Sequence, residues 1–350
     1  MEIQQHIYGM NAEGEAIIIY TMKGSNGSQV QICNLGATIT SAIMPDKDGK
    51  LADVVLGFED LENMLKDSAS CGRTVGRVAN RIADGKMTIE GTEYNLAVNN
   101  GPNHLHGGLV GFGSRIWESR VETNRVVMSL LSEDGDQSYP GELNVEVAFD
   151  FDDEGQLELT MMAKSDKTTV VNLTNHAYFN LSGDTNTTIE DHELQLCSTK
   201  VLEANAVQIP TGKELEVAGT PMDFSSFRIL GEGLHEEFNH IKDFRGYDHF
   251  FVVDGYKKGV LAENAVLRDP KSRRSLTVLS SLPGLMVYTG NWLAAGSPIT
   301  KGGKPYLPYQ GVALECQYHP DAINQPSFPS IVLPAGELYC EKIVFKFGTY

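Results

Sequence analysis

Apolar and polar residues alternate over many short stretches of this chain, and turn residues separate the stretches. QVQICNLGATITSAI (29–43) is rich in β-branched residues and is broken by a glycine. KMTIEGTEYNL (86–96) alternates on both sides of Glu90-Gly91, which predicts a hairpin. LNVEVAFDFDDEGQLELTMMAKSD (143–166) does the same around a turn at 152–155. Further strands are predicted over 192–199, 249–255, 264–281, 285–291, 311–317 and 341–347. Thirty-five glycines and 14 prolines punctuate these runs. Helical periodicity is confined to EDLENMLKDS (59–68) and LHEEFNHI (234–241), both predicted as short helices.

Many short strands and few helices predict an all-β chain, a sandwich or barrel. No linker-like shift in composition, internal repeat or low-complexity segment divides the sequence. The expectation is therefore one large single-domain antiparallel β-sandwich over 1–350, with a few short helices.

Composition adds one strong signal. Apolar residues make up 41% and charged residues 21%, both ordinary. The charge is not: 28 Lys and Arg stand against 46 Asp and Glu, a net charge of −18. Such a surface repels phosphate backbones and anionic membranes, so neither nucleic acid nor membrane is expected as a partner. It also disfavours a phosphorylated substrate. Five cysteines with no CxxC spacing fit reduced thiols better than disulfides or a zinc site. The N-terminal segment lacks a basic stretch followed by an apolar one, and no run approaches the ~18 apolar residues of a membrane span. A cytoplasmic protein is expected, a monomer or a homodimer.

Standard motifs are missing. There is no Walker loop, GFGSR (111–115) lacks the third glycine of a dinucleotide fingerprint, and HEEFNH (235–240) has the wrong spacing for a zincin. His104 and His106, two apart, would share a strand face, but no third metal ligand is evident; no metal or cofactor is expected. Five clusters remain. In GRVANRIADG (76–85), Asn80 precedes Arg81, whose five fixed donors suit oxygen ligands as well as a surface ion pair. In NNGPNHLHGG (99–108), Gly107-Gly108 permits a close backbone approach, and His106 is either a ligand donor or a satisfied core histidine. In VVNLTNHAYFNLSG (170–183), His176 is either a buried structural histidine or a general acid. In RGYDHFFVVDG (245–255), Asp248 caps a turn or accepts from hydroxyls. In GVALECQYHPDAINQPSFPS (311–330), Glu315 interrupts an apolar strand. A buried carboxylate is costly unless paired or functional, and burial would raise its pKa toward that of a general base. One Arg, two His and two carboxylates, with asparagines and rings between, equip a carbohydrate site. Trp292, Phe112 and Tyr178 are candidate stacking rings, though each reads as core before platform.

The motifs NRI (80–82), NNGPNHLHGG (99–108), TNHAYFNLSG (174–183), YDHFF (247–251), YTGN (288–291) and LECQYHPDAINQPSFPS (314–330) together resemble the aldose 1-epimerase family, in the family's order and along nearly the whole chain. The resemblance implies a large antiparallel β-sandwich with an open sugar cleft, and interconversion of the α and β anomers of free aldohexoses such as glucose and galactose, without cofactor or metal. It implies Glu315 as catalytic base and His176, as imidazolium, as catalytic acid. It implies Asn80, Arg81, His106, Tyr178 and Asp248 as sugar-binding residues. One departure bears on the preferred sugar: some relatives carry glutamine two residues before the tyrosine of YTGN, where this chain has Met286. Rival expectations are a glycoside hydrolase using Asp248 with Glu315, a hexose-6-phosphate epimerase, and a non-catalytic sugar-binding module.

Overall fold

The structure, a computed structural model, describes residues 2–184, 186–294 and 298–350. Three antiparallel sheets dominate it. Five strands, Glu2–Met10, Ala16–Lys23, Gln29–Cys33, Thr38–Pro45 and Leu51–Asp53, pair in chain order. A nine-stranded sheet runs Glu118–Glu122, Arg125–Ser132, Leu143–Phe151, Gln156–Ser165, Leu338–Thr349, Arg274–Ser280, Ala262–Arg268, Glu193–Leu196, Arg228–Ile229. A six-stranded sheet runs Tyr178–Phe179, Val312–Gln317, Gly284–Tyr288, Asp248–Val252, Lys200–Ala204, Pro210–Glu216.

The patterning explains the layers. Gln156–Ser165 alternates between buried and half-exposed positions, as a strand with one wet face must. Val312–Gln317 is buried along its whole length, on both faces. One face of its sheet packs on the nine-stranded sheet, where the rings of Phe179 and Phe345 lie 5.0 Å apart. One continuous apolar core joins residues from all three sheets. The other face of the six-stranded sheet floors a cleft.

The predicted hairpin over 86–96 forms, with Glu90 at φ 49° and Gly91 at φ 80°. Two successive positive φ values are the turn that matches strand twist. The 152–155 turn forms as well, closed by the Asp152 amide on the Gln156 carbonyl at 3.1 Å.

Several elements differ from expectation. The 59–68 helix is only Leu61–Leu65, started by Asp60, whose side chain accepts from the Asn63 amide. The 234–241 segment forms no helix. It is a series of turns in which Asn239 and His240 adopt φ 43° and 65°, incompatible with helix. The Asn239 amide group instead donates to the Leu202 carbonyl and accepts from the Ala204 amide, stitching the segment to the strand Lys200–Ala204. Strands Glu2–Met10, Ala16–Lys23, Glu118–Glu122, Arg125–Ser132, Lys200–Ala204 and Pro210–Glu216 were not anticipated. Glu2–Met10 and Pro210–Glu216 are edge strands, mostly exposed, and so carry little apolar alternation.

Gly107 makes a close approach, but to the protein's own backbone. It sits at φ 82°, and a Cβ there would lie 2.0 Å from the Gly76 carbonyl oxygen. Gly107→Ala should therefore force apart the two segments that carry His106 and Arg81, at a cost of about 2–4 kcal/mol. Urea unfolding of the variant checks this; a midpoint equal to that of the unaltered chain would show that the contact is soft.

Candidate active site

In a strand successive side chains face opposite ways, and residues opposite one another in neighbouring strands face the same way. The register of the six-stranded sheet therefore builds two rows on its cleft face. One reads Tyr178, Ala313, Tyr288, Asp248. The next reads Glu315, Met286, Phe250. Met286 is buried in the core beside Glu315 and does not line the cavity.

His176 is not on a continuous strand. Thr174–Asn175 pairs with Thr74–Val75, whereas Tyr178–Phe179 pairs with Val312–Gln317, so the chain changes sheets at residues 176–177. Asn175 makes the corner: its side chain donates to the Gly72 carbonyl and accepts from the Ala177 amide. The His176 backbone exchanges 2.9 Å bonds with Arg73 and Gly72. Asn180 likewise fixes backbone, donating to the Thr187 and Gln310 carbonyls.

Asn80 and His106 both adopt left-handed backbone, at φ 63° and 52°. The two residues are clasped together: the His106 amide donates to the Asn80 carbonyl at 3.1 Å, and the Asn80 amide donates to Nδ1 of His106 at 3.2 Å. The Asn80 side-chain oxygen accepts from the Arg81 amide. The left-handed turn at 106 also breaks the expected sharing of a face with His104. His104 is fully buried, donating through Nδ1 to the Ala97 carbonyl and accepting at Nε2 from the Tyr139 hydroxyl. It is a structural histidine.

All seven predicted site residues, Asn80, Arg81, His106, His176, Tyr178, Asp248 and Glu315, line one cavity of about 550 Å³. Nε2 of His176 lies 3.5 Å from Oε1 of Glu315. Nδ1 of His176 and Oε2 of Glu315 have no partner among the described residues. The Tyr178 ring lies 4.9 Å from the His176 ring, and its hydroxyl donates to the Ala69 carbonyl. Trp292 lines the cavity half-exposed, with the Arg245 guanidinium 4.1 Å over its ring. Phe112 is core, set edge-on to Trp117.

Burial dominates the electrostatics. Glu315 is 2% exposed and His176 5%. Burial, with the Asp248 carboxyl adding to it against Arg81, pushes the Glu315 carboxyl up to about 8. Burial brings the His176 imidazole down to about 4. Burial thus favours the neutral form of each group, a carboxylic acid beside a neutral imidazole. Burial also raises Asp248, which Arg81 and Gln208 counter, and holds His106 well below its ordinary value. His106, His176 and Glu315 offer ligand-type atoms within 4.8 Å of one another, a two-imidazole, one-carboxylate set. The Asn80 amide occupies Nδ1 of His106, however, so the neutral ring carries its proton on Nε2 and donates there instead of ligating.

Comparison with known proteins shows the family. The aldose 1-epimerase family model matches residues 19–346. The chain belongs to the aldose 1-epimerase family. A galactose mutarotase from Bos taurus is 43% identical over 324 residues, 93% of this chain and 92% of that one. An aldose 1-epimerase from Escherichia coli K12 is 34% identical over 339 residues, 96% of each. The crystal structure of an aldose epimerase homologue from C. elegans superposes with a TM-score of 0.86 at 33% identity, covering 94% of this chain and 98% of that one. Within this aldose 1-epimerase, three cavity features lay beyond the sequence reading. Gln208 links Arg81 to Asp248: its Oε1 accepts from Nη2 of Arg81 and its Nε2 donates to Oδ2 of Asp248. Asn100 accepts from Nε of Arg81 at 3.0 Å. The 67–71 loop forms a wall, held by Asp67, which accepts from the Ala69 and Cys71 amides and pairs with Nε of Arg73 at 3.1 Å. An aspartate bonding amides two and four residues ahead is a turn signal the sequence does carry; Gln208 has none.

The Glu315 shift has a consequence for stability. A carboxyl raised from 4.5 to about 8 by folding stabilises fully below pH 4.5, and the contribution is lost as pH rises to about 8. A glutamine has no such dependence. From pH 5 to pH 8.5, Glu315→Gln should gain on the unaltered chain by on the order of 3 kcal/mol. Paired thermal melts at the two pH values check it; a difference that does not move with pH would contradict a raised carboxyl.

Proposed function

We propose that this isomerase interconverts the α and β anomers of free aldohexoses, glucose and galactose, with Glu315 and His176 carrying the two proton transfers. The supporting observation is the 3.5 Å separation of Nε2 of His176 and Oε1 of Glu315 at the floor of the cleft. Opening a hemiacetal requires a proton to leave the C1 hydroxyl and a proton to reach the ring oxygen. Both oxygens are bonded to one carbon. Two proton-bearing groups in contact can address both at once, and each contributes about 10²–10⁴-fold.

Glu315 is assigned as base and His176 as acid in one direction; ring closure on the other face of the aldehyde runs the transfers backwards, so the roles exchange. What the pair must hold is one proton in total. Between its two titrations it holds one, on Glu315 in the free protein. Delivery of that proton to His176 as sugar displaces water sets up the carboxylate base and the imidazolium acid. Arg81, Asp248, Asn80 and His106 bind the remaining hydroxyls, and Tyr178 packs against the acid. Binding energy at those hydroxyls orients C1 over the pair. The chemistry as written needs neither metal nor cofactor.

Further support comes from the cavity wall. Among the described residues lining it, Arg81 is the one cation, and it already faces Asp248 through Gln208. A phosphorylated hexose finds poor accommodation there, and an uncharged sugar finds donors and acceptors. Every proposed site residue lies in one chain, so a monomer or a homodimer works alike, and 1–350 acts as one unit. No helix among the described residues is long and apolar enough to cross a membrane. All five cysteines are unpaired, which suits a cytoplasmic setting.

The test is polarimetry on freshly dissolved α-D-glucose and α-D-galactose. The protein should speed the approach to rotational equilibrium, and Glu315→Gln should lower kcat by about 10²–10⁴-fold while KM changes little. Full activity in Glu315→Gln would remove Glu315 as base. The pH profile of kcat/KM should be a broad bell with limbs near 4 and 8. Below about 4 the pair holds two protons and lacks a base; above about 8 it holds none and lacks an acid. A profile with a single rising limb would contradict a one-proton pair.

A further inference from the structure

Gln208 sits on the turn between the strand Lys200–Ala204 and the edge strand Pro210–Glu216. The turn is built to aim it. Asn205 accepts at its side-chain oxygen from the Val207 and Ile209 amides, both at 3.0 Å, and its carbonyl accepts from the Gln208 amide at 2.9 Å. Gln208 itself adopts φ 61°, a conformation that costs a non-glycine residue about 1–2 kcal/mol. Asn103 donates to the Val207 carbonyl at 3.1 Å, which pins the turn to the 99–108 segment that carries His106. The strained, doubly anchored turn delivers one side chain into the cavity.

That side chain joins two groups of opposite charge. Arg81 donates to its oxygen, and its nitrogen donates to Asp248. Among the described residues no direct ion pair joins Arg81 to Asp248. A carboxamide is a neutral group that accepts from a guanidinium at one end and donates to a carboxylate at the other. Both bonds are charge-assisted, and so strong enough to hold the spacing. Without the amide, a buried guanidinium and a buried carboxyl facing one cavity would close on each other.

Position in the sheet says which part of a sugar meets this group. Asp248 lies two strands from Glu315, roughly 10 Å across the sheet. With C1 and the ring oxygen over Glu315 and His176, Asp248 faces the far side of the ring, at the C3, C4 and C6 hydroxyls.

We infer that Gln208 is a specificity-determining residue, which holds Arg81 and Asp248 apart at the spacing that reads the configuration of the hydroxyls remote from C1. It acts through its neighbours and takes no part in proton transfer. The inference rests on the assignment of the proton transfers to Glu315 and His176, which the Glu315→Gln measurement tests separately, in a chain whose Gln208 is intact.

The experiment compares the unaltered protein with Gln208→Ala and Gln208→Glu on D-glucose and D-galactose, which differ only at C4, by polarimetric initial rates, with thermal melts of each variant. For Gln208→Ala, kcat on the better sugar should stay within about threefold, KM should rise about tenfold, and the ratio of kcat/KM for the two sugars should change about fivefold. Equal losses on both sugars, or an unchanged KM, would overturn the inference in favour of a role in the turn alone. Gln208→Glu keeps the shape and the acceptor for Arg81 but replaces the amide donor to Asp248 with a second carboxyl. It guards against a Gln208→Ala chain that fails to fold. At pH 7 it should show the same rise in KM and a shifted ratio; unaltered values would overturn the inference.

Discussion

The site depends on the exclusion of water from one carboxyl group. Glu315 stands in the middle of a strand buried on both faces, with strands paired on either side. A carboxylate there would forgo several kcal/mol of hydration. The group avoids that cost by keeping its proton, and His176, buried beside it, avoids the same cost by losing one. Desolvation acts on the acid and on the base in opposite senses, and the result is a touching pair that holds a single proton over a wide range of pH. The packing that makes the sheet stable is thus also what makes the proposed pair usable.

Holding the pair still is the work of the surrounding chain. Segments far apart in sequence are tied by bonds to backbone atoms, which have little freedom to drift. Thr174 donates to the Cys316 carbonyl at 2.7 Å, and the Tyr318 amide donates to the Asn172 side chain at 2.9 Å. Asp321 reaches the Arg81 segment twice, through its amide to the Arg81 carbonyl and through its carboxylate from the Ala83 amide. The strand bearing Glu315, the corner bearing His176 and the segment bearing Arg81 are therefore tied directly to one another. Geometry of this kind is what bimolecular proton transfer lacks in water.

The parts of this arrangement that follow alternation were legible from sequence. Glu315 stood out because a carboxyl in VALEC contradicts its apolar neighbours, and Asp248 because it opens an apolar strand. The large hairpins read correctly because their turns have unambiguous chemistry. Legibility failed where the backbone leaves the regular period. His104 and His106 were placed on one face by counting, but a left-handed residue at 106 sends the two rings to different sides. The 234–241 segment has helical spacing and helix-forming residues, yet Asn239 gains more by bonding to a neighbouring strand. Gln208 was silent because a glutamine after an Asn-led turn looks like any surface residue; its meaning lies in what stands across from it. The protonation of the pair was illegible for a related reason. Residue type sets the ordinary pKa, but the completeness of burial sets the departure, and burial belongs to the assembled sheets.

The zero net charge of the free pair reaches beyond the cleft. In the proposed reaction an uncharged aldose meets a pair of zero net charge, and the products are uncharged too, so turnover carries no net charge into or out of the interior. Long-range fields have nothing to pull on. The −18 of the chain neither draws the substrate in nor penalises the reaction, and counterions that screen it leave the chemistry untouched. Catalysis and surface charge are in this way uncoupled, and the exterior of the molecule is free to vary with the demands of solubility while the interior keeps its rate.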